Sequence, residues 1–250
     1  FDNTDTFSAT TYADDAYAYA LVDRSGTLLT LTNSGAMSAA AFSTADVDDP
    51  GDDDIDGDVG DGLTEAVVID LSHATAATSI TNSGSIAGAT RLGDQNDAVA
   101  VIDDGDDDED THSAWYGSIA FGGGDDTLSI SGAGVFTGAT SKTGGTLAID
   151  VQDGTLALGA ADIVDATTVA FSSTATLTIV VSPDNSTLAR VDATDSIVFA
   201  DGARIEATLA DFVGDDFTAV LLHAAEIDAA GAVSDLLIEN LPFLYAGTSE

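Results

Sequence analysis

The chain has 250 residues and a formal net charge of −39, because 44 Asp and Glu stand against only five Lys and Arg. A field of this sign repels nucleic acid and anionic lipid, so neither is expected as a partner, and divalent cations are the natural counter-charge. The chain has no Cys, which excludes disulfides and Cys-based metal or catalytic sites. It also lacks an apolar run of about 18 residues that would insert into a membrane as a helix.

Composition also indicates the kind of core. Hydrophobic residues make up 44% of the chain but aromatic residues only 6%, which favours thin stacked layers over a thick globular core. Six of the acidic residues are Glu and the rest are Asp, which disfavours helix interiors and suits turns and hard cations. A halophilic origin would explain the same acidity. The chain begins at Phe1 without a signal peptide, so we expect a mature or trimmed piece of a longer protein.

The first predicted strands are 15–23 and 27–31, and the second leads into a turn motif that recurs along the chain. The motif has an apolar residue, a small polar pair, Gly and another apolar residue. Its copies are Leu31-Thr32-Asn33-Ser34-Gly35-Ala36-Met37, Ile80-Thr81-Asn82-Ser83-Gly84-Ser85-Ile86 and Ile130-Ser131-Gly132-Ala133-Gly134-Val135-Phe136. Such self-similarity is typical of stacked coils, so Asn82 and Gly84 are expected in a turn and Ile80 and Ile86 in the core.

An acidic residue followed by Ala leads the first strand, 15–23, and two further apolar strands, within 65–70 and 97–103. We therefore predict a coil made of this strand, a turn, the Asn-Ser-Gly strand and its turn, and a third strand that ends in small residues. Two acidic inserts, 44–63 and 103–116, interrupt the spacing. A solenoid accepts inserts at its corners, because doubling the length of a loop costs only about 0.6 kcal/mol of closure entropy.

From Phe121 onward the predicted strands are shorter, and each is bounded by Gly, Asp, Ser or Pro. They are 127–130, 146–151, 155–158, 167–171 and 175–181. The stretch 192–245 is more apolar and richer in Phe, as expected of a segment that closes the last layer of a solenoid, although a helix within 217–239 fits the pattern too. The prediction is an all-β chain, with a β-solenoid over 1–191 and a C-terminal cap over 192–250.

Three features, in this order, resemble a known family. They are the Asn-Ser-Gly repeats, the Gly-Gly-Gly-Asp-Asp-Thr-Leu stretch at 122–128, and an ending that contains Phe217-Thr218-Ala219-Val220-Leu221-Leu222 and Leu241-Pro242-Phe243-Leu244-Tyr245. Together they resemble the C-terminal part of a type V secretion autotransporter passenger domain, over nearly the whole chain. The resemblance implies a right-handed parallel β-helix, an autochaperone-like cap at 192–250, and a location at the cell surface or outside the cell, associated with a Gram-negative outer membrane. The acidic inserts depart from the family pattern.

The first acidic insert contains the best candidate for a metal site. Carboxylates alternate from Asp52 and precede Gly57, which is the first half of an EF-hand-like calcium loop. Position 12 of that loop would be Leu63 where a bidentate Glu is required, so the remaining ligands would come from further acids, with Glu65 as one option. A solvated acidic loop is the alternative interpretation. The predicted calcium ligands are Asp52, Asp54, Asp56, Asp58 and Asp61.

Two other acidic stretches are weaker candidates. Residues 103–110 are rich in carboxylates without regular spacing. Residues 122–128 partly match the calcium-binding nonapeptide of RTX proteins, with Asp126 and Leu128 in register and Phe121 in place of the first Gly. Such a site needs adjacent coils to share the ion, and the sequence shows one copy. A tight turn before a strand is therefore predicted here.

Nothing in the sequence favours catalysis. His73, His112 and His223 lie in separate segments, without a nucleophile motif or a His-Glu-x-x-His pattern. Trp115-Tyr116 could contact carbohydrate or a partner, but packing of the insert base onto the coil is the preferred interpretation. We predict a non-enzymatic, calcium-stabilised cell-surface β-helix for adhesion, spacing or assembly, with self-association or surface glycans as its contacts. The alternatives are a polysaccharide-acting β-helix enzyme and a subunit of a self-assembling surface layer or filament.

Overall fold

The computed structural model describes residues 1–12, 17–42, 65–103, 112–182, 188–210, 219–228 and 237–239, and every regular element within them is a β-strand. The strands are β1 (Asp2–Asn3), β2 (Thr6–Tyr12), β3 (Tyr17–Val22), β4 (Thr30–Asn33), β5 (Ala36–Phe42), β6 (Glu65–Asp70), β7 (Ser79–Asn82), β8 (Ser85–Ala87), β9 (Ala89–Arg91), β10 (Ala98–Ile102), β11 (Ala114–Tyr116), β12 (Ile119–Phe121), β13 (Asp125–Ser131), β14 (Val135–Thr137), β15 (Thr140–Lys142), β16 (Thr146–Val151), β17 (Thr155–Leu158), β18 (Ile163–Phe171), β19 (Thr176–Val181), β20 (Arg190–Phe199), β21 (Arg204–Leu209), β22 (Leu222–His223), β23 (Glu226–Asp228) and β24 (Leu237–Glu239).

The strands form a parallel β-helix, which confirms the predicted fold class. A nine-stranded sheet runs in the order β2-β5-β8-β11-β14-β17-β19-β21-β24. Each of these strands pairs in parallel with its counterpart in the next coil, as β2 with β5 and β11 with β14 do. The other two strands of each coil lie in a 15-stranded sheet. The chain therefore winds through three strands per coil in its first half.

The cross-section of the coil changes at β18. The β1-to-β16 series and the β3-to-β15 series are separate faces until they meet on β18, whose register shifts between Ala166 and Thr168. In earlier coils the two faces are joined by turns that contain glycines with positive φ: Gly124 (105°) between β12 and β13, and Gly145 (60°) between β15 and β16. Residues 165–167 contain no Gly, so β18 continues through the corner, and the coils of β18 and β20 each have two long strands instead of three short ones.

Apolar side chains that point inward fill continuous columns along the axis. One column runs from Leu31 in β4 to Ile197 in β20, and a second runs from Met37 in β5 to Ile205 in β21 through fully buried Trp115. Because strand residues alternate between faces, the residues between these positions point outward. Burial of each large side chain contributes about 1.5–3 kcal/mol, so the columns hold the coils together.

A ladder of three buried asparagines occupies the corner that follows β1, β4 and β7. Asn3 Nδ2 donates to Asn33 Oδ1, and Asn33 Nδ2 donates to Asn82 Oδ1, both at 2.7 Å. A Cβ on Gly84 would lie 2.0 Å from the carbonyl oxygen of Gly35, so only Gly fits between the stacked turns. The predicted turn role of Asn82 and Gly84 is confirmed, as is the burial of Ile80 and Ile86.

Two details of the predicted repeat are wrong. Leu128, not Ile130, shares a column with Ile80, because the chain has two more residues between Leu128 and Phe136 than between Ile80 and Ile86. The strand at 97–103 also lies on a different face from those at 15–23 and 65–70, since β10 pairs with β7 and β13 while β3 pairs with β6. Inward-facing strands look alike in sequence whichever face they occupy.

The last coils continue the stack. β20 pairs in register with β18, and β21 pairs with β19. The predicted domain boundary at residue 192 lies inside β20, so the first part of the predicted cap has the same coil structure as the rest, and the division into two domains stays a prediction. Within 217–239 the described regular elements are β22, β23 and β24. None of the described residues forms a helix with the length and apolarity that a membrane crossing requires.

Candidate functional site

The predicted calcium ligands in the first insert, Asp52, Asp54, Asp56, Asp58 and Asp61, lie outside the described residues. Residues 104–111 of the second insert lie outside them too. Calcium binding by these inserts therefore stays a prediction. Within the described parts of the chain, no group of three or more His, Asp or Glu is arranged to hold a metal ion.

The described candidate lies at the corner between β12 and β13. Val99 pairs with Leu128, which places residues 93–97 of the preceding coil directly beside residues 122–126. We call these two stacked turns the aspartate corner. They share Gly at the first position, Asp at the fifth and a branched apolar residue at the seventh. The lower turn therefore shares three positions of the calcium-type motif with the upper turn, but Leu92 and Gln95 stand where the motif has Gly, so residues 122–128 remain the fuller copy.

Side-chain oxygens join the two turns across the coil boundary. Asp126 Oδ1 accepts a hydrogen bond from the backbone N–H of Asp97 at 2.8 Å, and Asp97 Oδ1 accepts one from Thr78 N–H at 2.7 Å. On the outer side, Asp94 Oδ1 accepts from Gly123 N–H and Asn96 Oδ1 accepts from Asp125 N–H, each at 3.0 Å. One oxygen of each inner carboxyl therefore satisfies backbone of the preceding coil.

Asp97 and Asp126 carry the two inner carboxyls of the corner. The Oδ2 atom of each does not accept a hydrogen bond from the described residues of the preceding coil. Asp97 is 2% exposed and Asp126 is 1% exposed, and the Oδ2 atom of each has no hydrogen-bond partner among the described residues. Burial raises the pKa of Asp126 to about 6, and the charges of Asp97 and Asp125 act in the same direction. Burial also raises the pKa of Asp97. The aspartate corner thus holds two carboxyls whose ionised forms lack a counter-charge.

The backbones of the two turns are in close contact. A Cβ on Gly122 would lie 2.0 Å from the carbonyl oxygen of Gly93, and one on Gly124 would lie 2.5 Å from that of Gln95. Gly124 also has a φ of 105°, which favours Gly. Main-chain carbonyl oxygens of the lower turn therefore lie directly beside the upper turn.

Comparison with known proteins found no matching family model, no matching curated protein and no matching solved structure. The fold and the geometry of individual residues therefore carry the functional argument.

The three histidines lie on different coils. His112 Nδ1 is 2.8 Å from Asp103 Oδ2, and His223 Nδ1 is 2.8 Å from Asp192 Oδ1. His73 follows β6 and is close to Ser72 Oγ, at 3.2 Å. Each histidine is exposed on its own turn or strand, and the structure does not bring them into one site.

Trp115 and Tyr116 have different environments. Trp115 is fully buried in the column between Ile86 and Phe136, so the packing prediction is confirmed for it. Tyr116 points outward and is about half exposed. The base of the second insert is therefore fixed to the core by one aromatic residue while the next one faces solvent.

Sequence reasoning missed a group of exposed aromatic rings on the first two coils. Tyr12 and Phe42 are 71% and 50% exposed, and their rings stack with centroids 5.1 Å apart. Tyr17 and Tyr19 form a second stacked pair, with centroids 6.2 Å apart. We call these four residues the aromatic corner. The alternating Tyr17-Ala18-Tyr19 pattern could have indicated an outward aromatic face, but the contact between Tyr12 and Phe42 depends on the register of β2 with β5.

Proposed function

We propose that this chain is a non-enzymatic scaffold of a Gram-negative cell surface, used for adhesion, spacing or surface assembly. The observation that carries the proposal is the continuous stack of coils: nine strands in one sheet, each in register with the next. At about 4.8 Å per coil, this stack is a rod roughly 40 Å long. A rod with a thin apolar core holds its two ends apart and displays the corners of its coils at regular spacing.

The acidic inserts fit this role by their position. The first lies between β5 and β6. The predicted end of the second is wrong, because 114–116 form β11, and its acidic residues lie between β10 and β11. Both inserts are therefore placed between strands of the stack. In this proposal the inserts bind calcium, with Asp52, Asp54, Asp56, Asp58 and Asp61 as ligands in the first. Bound calcium would screen the net charge of −39 and allow neighbouring molecules to approach each other.

Self-association or binding to surface glycans is supported by the aromatic corner. The aromatic corner has two pairs of stacked, solvent-exposed rings on a chain with only 6% aromatic residues, and exposed apolar surface of this kind marks contact sites. The hydroxyl of Tyr gives such a surface a polar edge. The aromatic corner is therefore the part of the described surface that we expect to make contacts.

Electron microscopy and light scattering of the purified chain test this function. We expect rod-shaped particles that associate in calcium, or bind a glycan-coated surface, and separate in chelator at the same ionic strength. Changing both Tyr12→Ser and Phe42→Ser should weaken these contacts. Tyr116→Ser is the matched control, since it removes an exposed ring elsewhere.

Particles that stay separate and bind nothing in either condition would contradict the scaffold function. Screening the same preparation for cleavage of acidic glycans tests the polysaccharide-acting alternative. Cleavage would contradict the non-enzymatic function and support the polysaccharide-acting alternative.

A further inference from the structure

We propose that the aspartate corner binds one calcium ion between its two turns, with Asp97 and Asp126 as the side-chain ligands. This site is separate from the first acidic insert and belongs to the stack of coils itself. It does not depend on the surface role proposed above. It would make calcium a structural component of the fourth and fifth coils.

The first argument is the repetition of a calcium-type motif in adjacent coils. In the calcium-binding nonapeptide, Gly residues precede an Asp, and an apolar residue follows two positions later. Gly122, Asp126 and Leu128 have this spacing, and Val99 lies beneath Leu128 in the coil before. The same register places Asp97 beneath Asp126. The fuller copy and the partial copy are therefore in register in adjacent coils, which is the arrangement that a shared ion requires.

The second argument is the pair of carboxyl oxygens without partners. Oδ2 of Asp97 and Oδ2 of Asp126 are both buried and both lack a hydrogen-bond partner among the described residues. In-register residues of adjacent coils lie about 4.8 Å apart, so two ionised carboxyls here repel each other. Asp94 and Asp125 add negative charge on the outer side, and no described ion pair includes any of the four. A bound cation removes both penalties.

The third argument is the chemistry of the surrounding donors. Calcium takes oxygen ligands from carboxylates, main-chain carbonyls and water, in flexible geometry. Carbonyl oxygens of Gly93 and Gln95 lie where the upper turn admits only Gly. Since the described residues offer no cluster of three acidic side chains, the remaining ligands would be main-chain carbonyls and water. This donor set suits calcium better than zinc, which prefers Cys and His.

Thermal unfolding in calcium and in chelator tests the site, at pH 7.5 and matched ionic strength. The wild-type chain is compared with Asp126→Asn and with the control Asp125→Asn, which removes the same charge from an exposed neighbour. At a calcium concentration 100-fold above Kd, we expect the wild-type Tm to rise by about 5 to 10 °C. Asp125→Asn should keep the wild-type rise, and the rise of Asp126→Asn should be smaller than that of the wild type by about 5 to 10 °C. Because all three chains retain the acidic inserts, the difference isolates the aspartate corner.

Thermal unfolding in chelator distinguishes a calcium ligand from a residue that only packs in the core. Removing a buried charge should leave the Tm of Asp126→Asn in chelator equal to or above that of the wild type, whereas a purely structural role would lower it in both conditions. Asp97→Asn gives an independent second test of the same site. Equal calcium responses in all four chains, or no response in any, would overturn the proposal. A stabilisation that appears only on acidification and is lost in Asp126→Asn would assign the site to a proton instead.

Discussion

Removal of one asparagine from the buried ladder should destabilise the whole stack. Asn33 Nδ2 lies 2.7 Å from Asn82 Oδ1 and 3.1 Å from the carbonyl oxygens of Gly35 and Ser85, while Asn33 Oδ1 accepts from Asn3. Asn33→Ala leaves these groups without partners in a site that water does not reach. Each buried unsatisfied group costs about 1–3 kcal/mol. With partial relaxation, the expected loss is about 3–5 kcal/mol, a large share of the stability of a typical domain.

Urea unfolding followed by circular dichroism measures this loss. Ser34→Ala is the matched control, since Ser34 is exposed beside the ladder and its loss should change the free energy of unfolding by less than about 0.5 kcal/mol. Asn33→Leu separates hydrogen bonding from volume, because it fills the site without replacing the amide. If Asn33→Leu were as stable as the wild type, or if Asn33→Ala cost less than about 1 kcal/mol, the ladder would contribute volume and not hydrogen bonds.

Two further predictions concern the core and the acid range. Phe171 and Phe199 stack with centroids 4.3 Å apart in the last coils, so Phe171→Ala should cost about 3–5 kcal/mol in urea unfolding. A Phe171→Leu variant as stable as the wild type would refute a role for the stack. Hydrogen bonds from the Ser25 side chain and then from Leu28 and other backbone N–H groups lower the pKa of Asp23 to about 2. Its contribution is therefore present above the unfolded pKa of about 4 and is lost as pH falls toward 2, so the gap between wild type and Asp23→Ala should close over that range, and a gap that is constant with pH would contradict this.

The fold could be predicted because its signals are local. An apolar residue at Ile80, an amide at Asn82 and a Gly at Gly84 specify a strand and a turn whatever the rest of the chain does. The spacing of corners is not local. Two additional residues between Leu128 and Phe136 shift Ile130 out of the column of Ile80, and no property of the motif itself indicates the shift. The face to which a strand belongs is also not evident from its sequence, since β6 and β10 have similar apolar patterns but lie on different faces.

The candidate site shows the same division. Asp126 could be identified from the Gly-rich motif that precedes it, but its neighbour Asp97 could not, because Gln95 interrupts the glycine pattern in that copy. Only the register of β10 with β13 places the two together. Burial of both carboxyls follows from the alternation of the strands, since Asp97 has the same parity as Val99, and Asp126 the same as Leu128. A parity argument applied to the motif would have predicted inward-pointing acids.

Polar columns also explain how this stack selects its own register. The column of Asn3, Asn33 and Asn82 passes to Val101 in the next coil. A slip by one coil would therefore place an amide against an apolar residue and leave its hydrogen bonds unmade, which costs more than the same slip in a wholly apolar column. Buried polar residues fix register in coiled coils by this mechanism. The aspartate corner lies at the other end of the same face, before β10 and β13. A slip there would separate the Asp126 carboxyl from the Asp97 N–H that donates to it, so this corner favours the same register.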